Sequence, residues 1–172
     1  MMMIEPTEIQ QEIVASFRNF IEDSCAHDDR YGHVSRSDSE DGTVQATRFE
    51  VDECCWLEAA VIPDVTQIRV SFITSDRTIY EEIEESIEAS GTSPQQLVQA
   101  MFAEAGLDWK DPPVERSQGG ESSYGFATVW PLEDLQDLEQ DAVRNRVLRM
   151  LEGYMLAFVP ATILEDDEEE ND

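Results

Sequence analysis

Residues 43–74 read TVQATRFEVDECCWLEAAVIPDVTQIRVSFIT, three strand-like runs separated by two short turn signals. Thr43–Val51 is rich in β-branched residues and loosely alternates apolar with polar, and Asp52-Glu53 marks the first turn. Cys54–Ile62 follows, with Pro63-Asp64 as the second turn. In Val65–Thr74 the alternation is clearest, with Ile68, Val70 and Phe72 set to one side and Gln67, Arg69 and Ser71 to the other. Connections this short join antiparallel neighbours, because a parallel pair needs a much longer crossover. The stretch predicts a three-strand antiparallel meander.

Upstream, Pro6-Thr7 opens a first helix, with Thr7 as N-cap and Gln10 closing a capping box. Ile9, Ile13, Val14, Phe17, Phe20 and Ile21 form its apolar stripe, which ends near Cys25. His27–Gly42 (HDDRYGHVSRSDSEDG) is polar and reads as a long loop, or a loop with a ragged edge strand.

Downstream, Ser75 or Asp76 caps a second helix in which Ile79, Ile83 and Ile87 sit four apart among Glu81, Glu82, Glu84, Glu85 and Glu88. Gly91 stops it. Ser93, Pro94 and Gln96 start a third helix whose inward side is Leu97, Val98, Met101 and Phe102, and Gly106 ends it. After Asp111-Pro112-Pro113, Val114–Ser117 and Tyr124–Trp130 predict a hairpin about a polar tip at Gln118–Ser123. Tyr124, Phe126, Thr128 and Trp130 share one face of it. The longest helix is expected from Leu132 or Leu138 to Phe158, with Ala142, Val143, Val147, Met150, Leu151, Tyr154 and Phe158 inward. The fold class is therefore α+β, an antiparallel sheet of about five strands (meander plus hairpin) packed by the N-terminal and C-terminal helices. A single domain is expected over residues 1–160, followed by a disordered acidic tail, 161–172.

The net charge is −28, and the seven acids of the last eight residues supply a quarter of it. The remainder must coat the folded body. Such a surface repels nucleic acid and anionic lipid, which require clustered Lys and Arg. Lys110 is the only lysine, beside ten arginines. No apolar run is long enough to span a bilayer, and the N-terminus has no signal-peptide pattern. The odd number of cysteines, Cys25, Cys54 and Cys55, argues against a disulfide framework and for the cytoplasm.

Catalytic constellations are weak. Cys25, His27, His33, Cys54 and Cys55 lack zinc spacing, and adjacent strand residues Cys54 and Cys55 point to opposite faces. Acids surrounding the thiols disfavour a thiolate nucleophile. No metal, cofactor or catalytic residue is expected. The carboxylates of the second helix could imitate the phosphate row of DNA and occupy a nucleic-acid-binding protein, although a solvated face explains them more simply.

The last helix is apolar around more than half its circumference. If part of that surface is left uncovered, Met150, Tyr154, Met155 and Phe158 would make an adaptable patch for a partner, with Arg144, Arg146 and Arg149 facing an acidic neighbour.

Three features together carry a family likeness: the Phe49–Phe72 meander, the segment YGFATVWPLEDL from Tyr124 to Leu135, and the apolar final helix ending at Phe158-Val159-Pro160. Their order, at this length and acidity, resembles the YbjN family and the related fold of class I type III secretion chaperones. The resemblance implies a homodimeric or partner-binding protein rather than an enzyme, with a protein client and no nucleic-acid or membrane partner. No functional residue transfers through it, since no motif carries one.

Overall fold

The alternation of the meander pairs into a ladder in which each strand lies beside its sequence neighbour. In this computed structural model, which describes residues 8–119 and 123–159, the meander is β2 (Gln45–Asp52), β3 (Cys55–Ile62) and β4 (Gln67–Thr74). Before it come α1 (Glu8–Ala26) and β1 (Val34–Arg36); after it come α2 (Arg77–Ala89), α3 (Pro94–Glu104), β5 (Glu115–Gly119), β6 (Ser123–Pro131) and α4 (Asp141–Phe158). The fold is α+β, with all strand pairs antiparallel in the order β1-β2-β3-β4-β6-β5. The hairpin β5–β6 adds to the meander through β4 and β6.

Side chains two apart on a strand share a face, so the register assigns every residue. One face carries the rows Phe49–Leu57–Phe72–Phe126 and Gln45–Val61–Ile68–Trp130. All four helices lie on this side. Phe158 of α4 stacks on Phe126 with ring centroids 4.6 Å apart, and Tyr80 of α2 stacks on the same ring at 5.5 Å. From α1, Arg18 reaches Thr47 of β2. Packed against α4, α3 approaches so closely that a Cβ on Gly153 would enter the Phe102 ring. Glycine costs about 1 kcal/mol inside a helix, and here it lets two helices touch. The Tyr154 hydroxyl, deep in this layer, shares a 2.6 Å hydrogen bond with Thr128.

The sixth strand is the departure from the five expected. Within the polar stretch 27–42, Val34 pairs with Phe49 and Arg36 with Thr47. Ion pairs fix this edge rather than apolar alternation. Arg18, 5% exposed, grips Asp38 through both guanidinium Nη atoms at 2.9 and 3.1 Å and also donates to the Ala46 carbonyl. Arg36 pairs with Glu22 of α1 at 3.0 Å, and Arg30 bridges Asp28 to Glu152 on α4.

Several boundaries also move. Val65 lies in a 3-10 turn with its side chain exposed, and Thr66 turns left-handed (φ 52°) before β4 begins at Gln67. Cys54 sits in the turn before β3 rather than in the strand. The last helix starts neither at Leu132 nor at Leu138. Leu135–Glu139 is a 3-10 segment with its own Asp134/Asp137 capping box, and Gln140 is extended before α4 opens at Asp141. Ala142 is consequently exposed rather than inward, and Ile9 of α1 also faces solvent. The Pro6-Thr7 start of the first helix, Pro160 and the acidic residues 161–172 lie outside the described residues.

Candidate interaction surfaces

The same alternation that makes a core on one side of the sheet leaves the other side without a helix among the described residues. Its rows are Arg48–Glu58–Ser71–Ala127, Ala46–Ala60–Arg69–Val129 and Glu50–Trp56–Ile73–Gly125. Short side chains form the floor: Ala46, Ala60, Ser71 and Ala127 are all buried although no described helix folds over them. Long side chains from neighbouring positions shelter them. The result is a shallow depression of about 440 Å³, bounded by the 37–39 segment at one end and by Glu115 and Arg116 at the other.

Glu58 is the centre of this face. It is 3% exposed, and its two oxygens accept from Arg48 at 2.9 Å and from Arg69 at 3.3 Å. A lone carboxylate would be costly here; two guanidinium partners compensate it. Charges at the depression nearly balance, with Arg48 and Arg69 against Glu58, Arg18 against Asp38, and Glu115 and Glu50 beside them; Arg116, at the rim, pairs with Glu84 of α2. On a chain of net charge −28 that balance is a local exception. Trp56, Ile62, Ile73 and Val129 are half-buried and add apolar area around it. Nothing in the pattern of its own strand marks Glu58. The missed signal was the cross-strand alignment of Arg48, Glu58 and the diagonal Arg69.

The surface expected on α4 needs correction. Met150, Tyr154, Met155 and Phe158 are all buried, because α4 is covered by the sheet on one side and by α3 and α1 on others. No exposed methionine patch exists there, since those side chains are the core. The three arginines do not form one cluster either. Arg144 faces α1, where it stacks on Phe20 and donates to the Leu138 carbonyl and the Ser16 hydroxyl. Arg149 donates to the carbonyl of Gly106, which caps α3 in the left-handed region (φ 88°). Arg146 lies between the rings of Trp109 and Trp130, with its guanidinium carbon 4.5 Å from each centroid. Trp109 belongs to the irregular stretch after α3, where no periodicity marks it as a partner.

The thiols are separate and free. Burial pushes the Cys25 thiol up to about 12, with Asp28 and Glu152 adding to the shift. Burial likewise pushes Cys55 up to about 11. Neither is a thiolate at neutral pH. His27 and His33 are exposed, and among the described residues no three His, Cys, Asp or Glu side chains converge on a metal-sized site. On α2, Arg77 pairs with Glu81 and Arg116 with Glu84, which leaves Glu82, Glu85 and Glu88 facing solvent. The carboxylate row is therefore interrupted at two of its five positions.

The fold and its surfaces define the class no further than an α+β chain with one open sheet face. Searches of family models, curated proteins and solved structures find no match to it. Among the described residues no helix is long and apolar enough to cross a membrane.

Proposed function

We propose that the chain is a non-catalytic protein-binding module, chaperone-like or adaptor in character, that works as a homodimer through its helix-free sheet face. The near balance of charge at the depression, where Arg48, Arg69 and Arg18 offset most of its carboxylates, is the observation that carries the reading. Two bodies of high negative charge repel at any ordinary pair of surfaces. A second copy can approach only where the local charge is near zero, and the depression around Glu58 meets that condition. Trp56, Ile62, Ile73 and Val129 supply apolar area, and the alanine floor permits close approach. The element order that resembles the YbjN family supports the same class of function. Three free cysteines fit a reducing compartment, and we assign the protein to the cytoplasm on that ground.

Light scattering at near-physiological salt tests the dimer. Wild type is expected at twice the chain mass of 19.5 kDa. Ile73→Asp with Val129→Asp, which place charge on the open face, should give a folded monomer. Glu82→Lys on exposed α2 should leave the dimer intact. A wild-type monomer up to millimolar concentration would overturn the reading.

A further inference from the structure

Ten arginines in a chain with 39 acids should all find carboxylates. Seven do: Arg18, Arg30, Arg36, Arg48, Arg69, Arg77 and Arg116 each pair with an Asp or Glu. Arg144 and Arg149 instead donate to backbone carbonyls. Arg146 alone makes neither kind of bond among the described residues. Its Nε is buried and has no partner among the described residues. Cation–π contacts with Trp109 and Trp130, each ring centroid 4.5 Å from the guanidinium carbon, hold the group in place. What such contacts cannot do is satisfy the in-plane N–H donors. Partial burial lowers the Arg146 pKa from the usual arginine value.

We propose that the Arg146 guanidinium, clamped between Trp109 and Trp130, is a binding site for a carboxylate side chain of a partner protein. A carboxylate matches in two respects. It is planar, so it can take two parallel N–H donors from the outer edge formed by the two Nη groups, while the buried Nε stays beneath it. It also carries a single charge, whereas a phosphate or a nucleic-acid backbone brings more negative charge against a body already at −28. The partner segment is accordingly one acidic residue in neutral or basic surroundings, for which the rest of the surface is attractive. The site belongs to the helical side of the sheet, since Trp130 shares its row with Ile68. It is therefore independent of the open face and of the dimer proposed above.

The test uses the full chain and three capped lysine–alanine peptides that differ at one central residue: glutamate, glutamine or phosphoserine. Binding is followed by tryptophan emission and by the Arg146 Nε–H resonance. The glutamate peptide should bind saturably, shift that resonance, and bind about tenfold more tightly than the glutamine peptide, the worth of one charge-assisted pair. Arg146→Gln should erase the difference between the two peptides, and Arg146→Lys should reduce it, because an ammonium lacks the planar fork. Arg144→Gln, checked by circular dichroism, should leave it unchanged. Equal binding of the glutamate and glutamine peptides to wild type overturns the proposal without recourse to any variant. Tighter binding of the phosphoserine peptide overturns the assignment to carboxylate. Repeating the titration in the monomeric Ile73→Asp, Val129→Asp protein separates this site from the dimer, since the preference for glutamate should persist there.

Discussion

Phe126 and Ala127 are neighbours on β6 that point to opposite sides of one sheet. Phe126 is sealed by rings from two helices, Tyr80 and Phe158. Ala127 has no helix above it, yet it is 7% exposed. The covered face reaches dryness by adding a second layer. On the open face, short residues sink beneath long ones and a carboxylate is neutralised from both sides. Burial on the first side reports packing in the core. On the second it reports shelter and charge balance, which is the condition for a surface that another protein can meet.

The contrast can be broken most strongly from the covered side. Phe126→Ala removes a ring packed against two others and should cost about 4 kcal/mol in urea unfolding at fixed protein concentration. A loss below about 1 kcal/mol would mean that the helices do not rest on β6. On the open side, Glu58→Ala leaves Arg48 and Arg69 facing each other without the anion between them. Because both arginines are one-third exposed, the expected loss is smaller, about 2 kcal/mol. Glu58→Gln should fall between wild type and that value; a variant as stable as wild type would show the triad to be energetically idle.

The smallest effect belongs to the rim, where Asp38 is held by Arg18. Hydrogen bonds from Arg18 set the Asp38 carboxyl below its ordinary value of 3.8. A carboxyl lowered by folding contributes stability above its unfolded pKa and loses it as pH falls through the folded one. Asp38→Asn should therefore cost about 1 kcal/mol at pH 7, since the side chain is 42% exposed. The gap between wild type and variant should close progressively below about pH 4. A gap unchanged down to pH 2 would detach the effect from that ionisation.

Most of the fold was legible because apolar periodicity wrote it. The alternation of Ile68, Val70 and Phe72 and the cap at Ser93, which accepts from the Gln96 amide, both form as the spacing predicts. What stayed open in the sequence, such as the ragged edge strand offered as one alternative for residues 27–42, or could not be read at all, was held by charge or by context. β1 exists because Arg18 and Arg36 of distant segments find Asp38 and Glu22, pairings without a local signature. The methionines of α4 looked available because a helix that is apolar nearly all round can be either core or patch, and only the tertiary arrangement of α3 and α1 decides. Arg146 was singled out for its charge, but its clamp needed Trp109, which has no periodic neighbours.

The three tryptophans turn out to be distributed by surface. Trp56 stands on the open face, while Trp109 and Trp130 flank one guanidinium on the helical side. The chain thus carries its own optical labels. Emission from a protein that retains Trp56 alone follows events on the open face, and emission lost with Trp109 and Trp130 follows the arginine between them. Two surfaces can be watched in one cuvette without attaching a dye.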